Sequence, residues 1–260
     1  MNERILITGA AGAIGTMLRC RMARPKRILR LLDIAPLPVR EPGELVETVD
    51  ADITDLDAMR RAAQDVDAII HLGGIAHESD WHRILHTNID GTYVLLEAAR
   101  RAGVPRVILA SSNHAVGFHP YPEENTETVP DYVFPRPDTF YGVSKAANEA
   151  LGSLYHDRYG INVLCVRIGS CFERPRDHRM LSLWLSPDDC ARLMEALLSA
   201  PNPGFRILWG ISANSRGRFS LDEARALGYQ PRDDAEHYAD ALPPPSASEV
   251  DRFIGGPFCR

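Results

Sequence analysis

The sequence has few cysteines, no long apolar run and no excess of basic residues. Its cysteines are Cys20, Cys165, Cys171, Cys190 and Cys259. Their odd number, their wide scatter and the lack of a C-x-x-C pair argue against a disulfide framework or a zinc site, and fit a reducing cytoplasm. No apolar stretch approaches the roughly 20 residues of a membrane span. The N-terminal Met-Asn-Glu-Arg is not followed by the apolar core of a signal peptide.

The charge balance does not indicate binding to nucleic acid or to an anionic membrane. A net charge of −6 over 260 residues provides no general attraction to nucleic acid or to an anionic membrane. Hydrophobic content of 45% and charged content of 25% are ordinary for a globular protein. The length suits one large α/β domain, and we therefore expect residues 1–260 to form a single domain.

Three neighbouring histidines raise the question of a metal site. His82 and His86 are four residues apart on a predicted helix, and His77 precedes them. Histidines at this spacing share a helix face and can bind a metal. No third ligand is compelling, and an exposed helix face explains the three residues better. We expect no metal.

The N-terminal segment has the pattern of a phosphate-binding turn. Residues 4–8 form a short apolar run typical of a buried strand, and Gly9, Gly12 and Gly15 follow in a G-x-x-G-x-x-G spacing. Glycines allow the backbone to approach a pyrophosphate, and the helix that begins here directs free N–H groups at it. The triplet alone is weak evidence, but it lies between a strand and a helix as a dinucleotide site requires.

Asp33 indicates which dinucleotide the turn would bind. It ends the second predicted strand, residues 27–33, near the expected separation of about 20 residues from the glycines. A carboxylate here accepts hydrogen bonds from the adenosine ribose 2′-hydroxyl and repels a 2′-phosphate, which favours NAD over NADP. The alternative is that Asp33 only forms a turn at the end of a strand.

The rest of the chain alternates strands with helices. Further strands are predicted at 45–49, 66–70, 106–110, 161–168 and 205–209, and helices at 55–63, 81–102, 187–200 and 221–227. Another predicted helix carries Tyr141 and Lys145 near its start and ends at about residue 159. This order predicts a Rossmann-type, doubly wound parallel sheet. We expect residues 1–168 to form the NAD-binding core and residues 169–260 a small C-terminal substrate-binding part.

Residues 139–145, Thr-Phe-Tyr-Gly-Val-Ser-Lys, contain the clearest catalytic candidates. Tyr141 and Lys145 are four residues apart at the start of a helix, so their side chains share one face. A lysine beside a tyrosine favours the phenolate and lowers its pKa from about 10 toward neutrality, which suits a general base. Tyr-x-x-x-Lys by itself is more often a solvated pair.

Four elements in sequence order, the glycine turn, Asp33, Ser112 and the Tyr141/Lys145 pair, resemble the extended short-chain dehydrogenase/reductase superfamily. The resemblance implies that Tyr141 is the base, that Lys145 lowers its pKa and holds the nicotinamide ribose, and that Ser112 fixes the reacting oxygen. It implies an NAD site formed by Gly9, Gly12, Ala13, Ile14, Gly15, Asp33, Ile34, Asp52, Ile53, Leu72, Gly73, Gly74, Asn88, Tyr141, Lys145 and Ile168.

A narrower resemblance covers nearly the whole chain. Short motifs at 71–75, 110–114, 141–145, 167–171, 179–182, 209–210 and 253–258 together look like the uronate dehydrogenases. Those enzymes oxidise C1 of D-galacturonate or D-glucuronate with NAD and release an aldarolactone. The resemblance implies self-association, and it implies substrate contacts from Ser112, Asn113, His114, Tyr141, Ser170, Arg179 and Phe258. Ala76 stands where the family pattern has a substrate-binding serine.

Alternatives remain at this stage. Arg179 could neutralise the acidic loop of Glu173 and Asp177, although a guanidinium can also bind a carboxylate through two parallel hydrogen bonds. Phe258 could be a tail residue that packs on the core, and His114 could have a structural role. For the whole chain the alternatives are a nucleotide-sugar epimerase or dehydratase, or a non-catalytic dinucleotide sensor.

Overall fold

A computed structural model describes residues 2–122, 128–244 and 252–259. Its centre is a seven-stranded, wholly parallel sheet in the order β3-β2-β1-β4-β5-β6-β9. The strands are β1 (Glu3–Thr8), β2 (Arg27–Asp33), β3 (Val46–Asp50), β4 (Ala68–His71), β5 (Arg106–Ser112), β6 (Asn162–Ile168) and β9 (Phe205–Gly210). The predicted Rossmann-type fold is confirmed.

Helices cover both faces of the sheet. They are α1 (Ala13–Arg21), α2 (Leu56–Ala62), α3 (Trp81–Ile84), α4 (Gly91–Ala102), α5 (Phe140–Tyr159), α6 (Met180–Leu183), α7 (Pro187–Ser199) and α8 (Asp222–Ala226). Local signals define their ends. Thr139 caps the start of α5 and Ser186 the start of α7, and Gly160 ends α5 in the left-handed conformation. Among the described residues, no helix has the length and apolarity needed to cross a membrane.

The core consists of two layers, one on each face of the sheet. Side chains of β1 alternate between them, with Ile5 and Ile7 in one layer and Leu6 in the other, as the two-residue period of a strand requires. The first layer packs against α1 and α7, and the second against α2, α4 and α5. Because both faces are buried, the central strands are continuous apolar runs.

The structure differs from the predicted elements in three places. The predicted helix 81–102 is interrupted by a π-helical segment, Leu85–Asp90, between α3 and α4. Residues 169–186, for which no helix or strand was predicted, contain α6 and a small parallel pair, β7 (Ser170–Cys171) and β8 (Trp184–Leu185). Strand β9 follows residue 168, so the sheet draws on both parts of the predicted division. The substrate-binding role of 169–260 stays a prediction.

Candidate active site

The candidate residues converge at the carboxyl edge of the sheet, where ligands bind in open α/β folds. Strand β1 runs into the glycine turn, β4 into Leu72–Gly74, and β5 ends at Ser112. Ser112 lies opposite Ile168 in the β5–β6 register, so these two predicted site residues are neighbours. Helix α5 then places Tyr141 and Lys145 beside this edge.

The glycine turn is built for a close backbone approach. Gly9 has a φ of +68°, and a Cβ added there would lie 2.7 Å from the backbone nitrogen of Gly73. A Cβ on Gly15 would lie 2.6 Å from the carbonyl oxygen of Gly9. Gly12 is the N-cap of α1, and Ala13 and Ile14 open its first turn. The turn therefore leaves a compact cradle at a helix N-terminus, which fits a pyrophosphate.

Asp33 ties the end of β2 to this turn. Its Oδ2 accepts a hydrogen bond from the N–H of Ala11 at 2.9 Å, and its Oδ1 accepts one from the N–H of Ala35 at 2.9 Å. A carboxylate offers about four lone-pair sites, so two hydrogen bonds leave capacity for ribose hydroxyls. The strand-end turn considered above is present, and it places the carboxylate beside the glycine turn.

Asp33→Asn tests the ribose interpretation, because the amide keeps an acceptor oxygen and removes the charge. We expect weaker NAD binding and better use of NADP, with the NAD/NADP ratio of kcat/KM falling by about tenfold or more. Steady-state kinetics with both cofactors measures the ratio. An unchanged ratio in a folded variant would contradict the role of the Asp33 charge.

The residues predicted for the adenine side lie around the ends of β2 and β3. Oδ1 of Asp52 accepts hydrogen bonds from the N–H and Oγ1 of Thr54, both at 2.9 Å, and forms a tight turn. Ile53 is buried, and its Cγ2 lies 3.1 Å from where a Cβ of Gly73 would stand. Ile34 is 70% exposed. An exposed apolar side chain next to Asp33 is available to cover an adenine, and this contact stays a prediction.

Asn88 joins the loop after β4 to the catalytic helix. Its amide donates to the carbonyl of Ile75 and to Oγ of Ser144, both at 3.0 Å, and its Oδ1 accepts from the N–H of Ile75 at 2.8 Å. Oγ of Ser144 donates to the carbonyl of Tyr141 at 2.7 Å. Asn88 lies within the π-helical segment, a kind of irregularity often found at functional sites. Its predicted contact with the cofactor stays a prediction.

A second buried polar chain was not predicted from the sequence. Oγ1 of Thr8 lies 2.7 Å from Nδ1 of His71, and Nε2 of His71 lies 3.2 Å from Oγ1 of Thr92. Burial, aided by the nearby charge of Lys145, lowers the pKa of His71 to about 3. His71 is therefore a neutral imidazole that holds the ends of β1 and β4 to the helix carrying Thr92.

Ser112, Tyr141 and Lys145 are close together, but the pKa prediction for Tyr141 is wrong. Burial raises the pKa of Tyr141 to about 12, and the hydrogen bond with Ser112 opposes this only in part. Lys145 does not donate to the phenol: its Nζ donates to the carbonyl of Ala110 at 2.7 Å and lies 5.4 Å from the Tyr141 ring centroid. Burial also lowers the pKa of Lys145 to about 8. Desolvation of the phenol therefore outweighs the stabilisation that Ser112 gives to the phenolate.

The pKa of Lys145 has a consequence for stability. The unfolded chain holds this proton up to about pH 10.5 and the folded chain only up to about pH 8. Burying the charged Lys145 therefore lowers the free energy of unfolding by its full amount below pH 8, and this destabilisation declines as the pH rises toward 10.5. Lys145→Met should raise the free energy of unfolding at pH 7 by about 1–3 kcal/mol, with the gain shrinking toward pH 10.5, while turnover is lost. Urea unfolding of both proteins at the two pH values measures this, and an equal loss of stability at both would contradict it.

On the substrate side, Arg179 and Asn113 meet the C-terminal tail. Nη2 of Arg179 donates to the carbonyl of Ile254. With the amide of Asn113 oriented to match donors with acceptors, its oxygen accepts from Nη2 of Arg179 at 3.0 Å and its nitrogen donates to the carbonyl of Ile168 at 3.3 Å. The guanidinium is thereby tied to the end of β6, where Ser170 follows. Glu173 and Asp177 have other partners, Arg21 at 3.8 Å and the N–H of Met180 at 2.8 Å.

The tail itself pairs with the segment after β5. The N–H of Tyr121 donates to the carbonyl of Arg252, that of Ile254 to His119, and that of Gly255 to Gly117, at 2.9–3.0 Å. This pairing places Phe258 against His114, with ring centroids 4.6 Å apart, while 48% of Phe258 stays exposed. Phe258 therefore borders the candidate site rather than packing in the core. Ala76 is exposed in the loop after β4.

Three further contacts support the site and were not predicted from the sequence. The exposed carboxylate of Glu78 accepts from the N–H groups of Phe140 and Tyr141 at 3.2 and 2.9 Å and so holds the start of α5. Buried Arg167 forms an ion pair with Glu149 at 2.8 Å, which fixes α5 to β6. Asp138 accepts from Nδ1 of His114 at 2.7 Å. Neither a helical spacing nor a recognised motif joins the members of these pairs, so no signal in the sequence reveals them.

A parallel Rossmann sheet with a glycine turn, an acid after β2 and a Ser–Tyr–Lys group at its carboxyl edge defines a dehydrogenase of the short-chain dehydrogenase/reductase type. Residues 5–187 match the model of the NAD dependent epimerase/dehydratase family. The chain belongs to this family and, within it, to the uronate dehydrogenases, as the following similarities show.

Two relatives and two structures illustrate the similarity. The uronate dehydrogenase of Agrobacterium fabrum (strain C58 / ATCC 33970) is 43% identical over 98% of this chain and 96% of its own. An NAD-dependent glucose-6-phosphate dehydrogenase of Haloferax volcanii is 38% identical over 92% and 96%. The crystal structure of uronate dehydrogenase from Agrobacterium tumefaciens is 42% identical, with a TM-score of 0.90 over 99% and 96% of the two chains. The structure of a mutant of that enzyme complexed with NAD is 41% identical in sequence, with a TM-score of 0.91 over 100% of this chain and 97% of that chain.

Proposed function

We propose that this chain oxidises C1 of hexuronates, D-galacturonate and D-glucuronate, to the aldarolactone with NAD. The observation that carries the proposal is the position of the Ser112–Tyr141–Lys145 group. It lies at the sheet edge that also holds the glycine turn, and Arg179 is tied to the same edge through Ile168 and Asn113. Hydride transfer and recognition of a sugar acid need both features in one place.

The residues present fit NAD. The turn of Gly9, Gly12 and Gly15 would hold the pyrophosphate at the start of α1, and Asp33 would hold the adenosine ribose. Lys145 is near enough to Tyr141 to serve the nicotinamide ribose as the family resemblance implies. When bound, oxidised NAD would accept the hydride from C1, and its positively charged nicotinamide ring would lie in the site.

The chain's own residues then handle the proton and the substrate. Tyr141 accepts the proton of the anomeric hydroxyl, and Ser112, which already shares a hydrogen bond with Tyr141, holds the same oxygen. A cation near the buried phenol favours the phenolate and offsets part of the desolvation that raises its pKa. Turnover should therefore rise with pH through the pKa that Tyr141 has in the ternary complex.

The remaining polar groups orient the sugar. Arg179 places a positive charge where a uronate carboxylate can pair with it, and Asn113, His114 and Ser170 add groups that hydrogen-bond ring hydroxyls. Ala76 removes one hydroxyl contact that the family pattern supplies, so sugar preference or affinity should differ from that of the relatives.

The direct test is NADH formation from NAD with D-galacturonate, D-glucuronate, galactose and a UDP-sugar. Rapid turnover of both uronates with galactose inert is the expected result. Silence on the uronates with conversion of the UDP-sugar would replace the proposal by the alternative, a nucleotide-sugar epimerase or dehydratase.

We also propose that the chain self-associates and acts in the cytoplasm. Tyr93 on α4 and Leu154 and Tyr159 on α5 are large apolar residues that stay more than 40% exposed, and they supply a surface for a second copy. Light scattering after gel filtration tests the first statement. The scattered, unpaired cysteines support the second.

A further inference from the structure

His114 and Asp138 form a pair whose geometry defines what the imidazole can offer a ligand. Nδ1 of His114 lies 2.7 Å from Oδ2 of Asp138, and the side chain of Asp138 is completely buried while 15% of the His114 side chain stays exposed. The His114 ring stands edge-on to Tyr141, with centroids 5.8 Å apart, and to Phe258 at 4.6 Å. The imidazole thus lies at the site with one nitrogen held from behind.

Several side chains converge on this carboxylate. Thr139 Oγ1 donates to Oδ1 of Asp138 at 2.9 Å, in addition to the contact with His114. The Cys259 thiol lies 3.9 Å from Oδ2, and its nearer acceptor is the carbonyl of Gly117 at 3.3 Å. A carboxylate can only accept hydrogen bonds, and Thr139 already donates to its other oxygen. Nδ1 of His114 must therefore carry the hydrogen of this bond.

The space around the carboxylate is made by glycines from separate segments. A Cβ on Gly117 would lie 1.9 Å from Oδ2 of Asp138, and one on Gly255 would lie 1.8 Å from it. Gly117 has a φ of −57°, which any residue adopts, so its lack of a side chain serves the carboxylate and not the backbone. Two chain segments, one from the C-terminal tail, thus close over Asp138.

We propose that Asp138 is a positioning residue that fixes His114 in the Nδ1–H tautomer, so that Nε2 meets the substrate as a hydrogen-bond acceptor for a ring hydroxyl. A neutral imidazole has one donor and one acceptor nitrogen, and Asp138 assigns the donor. Because Nε2 of His114 is an acceptor and the Asp138 carboxylate lies behind the ring, this position disfavours the negatively charged uronate carboxylate. The uronate carboxylate is thereby directed to Arg179 and a hydroxyl to His114, which orients the sugar. This inference rests on the proposed function.

Asp138→Asn reverses the tautomer with little change of shape. The amide oxygen can accept from Thr139, and the amide nitrogen then donates to Nδ1 of His114, which moves the hydrogen to Nε2. We expect KM for galacturonate to rise and kcat/KM to fall by about 10- to 100-fold, the effect typical of losing the partner that orients a histidine. Because Tyr141 and Ser112 are untouched, kcat should change less than KM. Cys259→Ala is the matched control, since it removes another side chain that lies near the same carboxylate and leaves the tautomer.

Imidazole nitrogen NMR on histidine-labelled protein reads the tautomer without turnover, and His114→Gln identifies the signal. The expected result is a protonated Nδ1 and a bare Nε2 at pH 8 in the unaltered chain, and the reverse in Asp138→Asn. A bare Nδ1, or two protonated nitrogens, in the unaltered chain would overturn the inference. So would unchanged uronate kinetics in a variant whose tautomer is reversed. Failure of the unaltered chain to oxidise uronates would instead reject the proposed function, while the NMR result would stand.

Gly117→Ala reaches the same carboxylate from another direction. The added methyl group must displace Oδ2 and so break the bond to His114, while the backbone at Gly117 is compatible with alanine. We expect the same rise in KM as in Asp138→Asn, with NAD affinity unchanged. A Gly117→Ala protein that is folded, binds NAD and keeps the KM of the unaltered chain would contradict the inference.

Discussion

Tyr141→Phe should reduce kcat for uronate oxidation by about 10²- to 10⁴-fold, the usual contribution of a general base. The substitution removes only the phenolic oxygen. The ring keeps its contacts with His114 and with Nζ of Lys145, so the fold and NAD affinity should stay the same. Turnover at several pH values and NAD titration by fluorescence measure the two effects. The residual activity should also lose the rise with pH that the unaltered chain shows.

Tyr155→Phe provides a matched control on the same helix. Tyr155 is buried, and its hydroxyl donates to Glu97 at 3.3 Å, on the side of α5 that packs against α4. The same atom is removed in both variants, but only Tyr141 is bonded to Ser112. Tyr155→Phe should therefore keep kcat within about twofold. If Tyr141→Phe also retained turnover and pH dependence, Tyr141 would not be the base.

Arg179→Ala should reduce kcat/KM for uronates by about 10²- to 10³-fold, because truncating one partner of a charged hydrogen-bonded pair costs about 2–5 kcal/mol. The loss should fall mainly on KM, since the carboxylate is remote from C1. Galactose has no carboxylate, so its slow oxidation, where measurable, should change little. The increase in KM for the uronates is thus the informative quantity, and any trace oxidation of galactose serves as its control.

Two variants make the Arg179 experiment specific. Arg176 lies in the same loop, is exposed and places its guanidinium 3.7 Å from the ring centroid of Phe172, so Arg176→Ala tests for a general charge effect. We expect no change in KM from it. Arg179→Lys should restore only part of the affinity, because an ammonium cannot bind a carboxylate through two parallel hydrogen bonds. Equal KM values for Arg179→Ala and the unaltered chain would rule out carboxylate recognition there.

Much of the fold and of the cofactor site could be predicted because the signals are local. The apolar run of β1, the glycines that follow and Asp33 at the end of β2 lie within 30 residues and need no tertiary information. Tyr141 and Lys145 share one helix face for the same reason. The π-helical segment at Leu85–Asp90 was missed because one extra residue in a turn hardly alters the hydrophobic period.

The substrate side was harder to predict because it is assembled from distant segments. Asp138 lies at the end of a loop without periodicity, and its role depends on Gly117 and Gly255 leaving room for its carboxylate. The Ile254 group that accepts from Arg179 is a backbone carbonyl, which no residue type reveals. The predicted direction of the Tyr141 pKa shift was wrong for a related reason, because the sequence shows the neighbouring lysine but not how deeply the phenol is buried.

The antiparallel pairing of residues 117–121 with 252–255 means that the cofactor side and the substrate side of the site differ in how freely their residues can change. The cofactor groove is part of the parallel sheet, so a change there disturbs the core packing of the whole protein. The predicted substrate side is instead formed partly by a short tail, whose three backbone hydrogen bonds to residues 117–121 fix its path. Buried Ile254 and Gly255 are constrained by the core and by the Asp138 carboxylate, whereas exposed tail positions such as Phe258 can change and alter which sugar is accepted while the redox chemistry persists. Evolution of new sugar preferences in related chains should be concentrated in this tail.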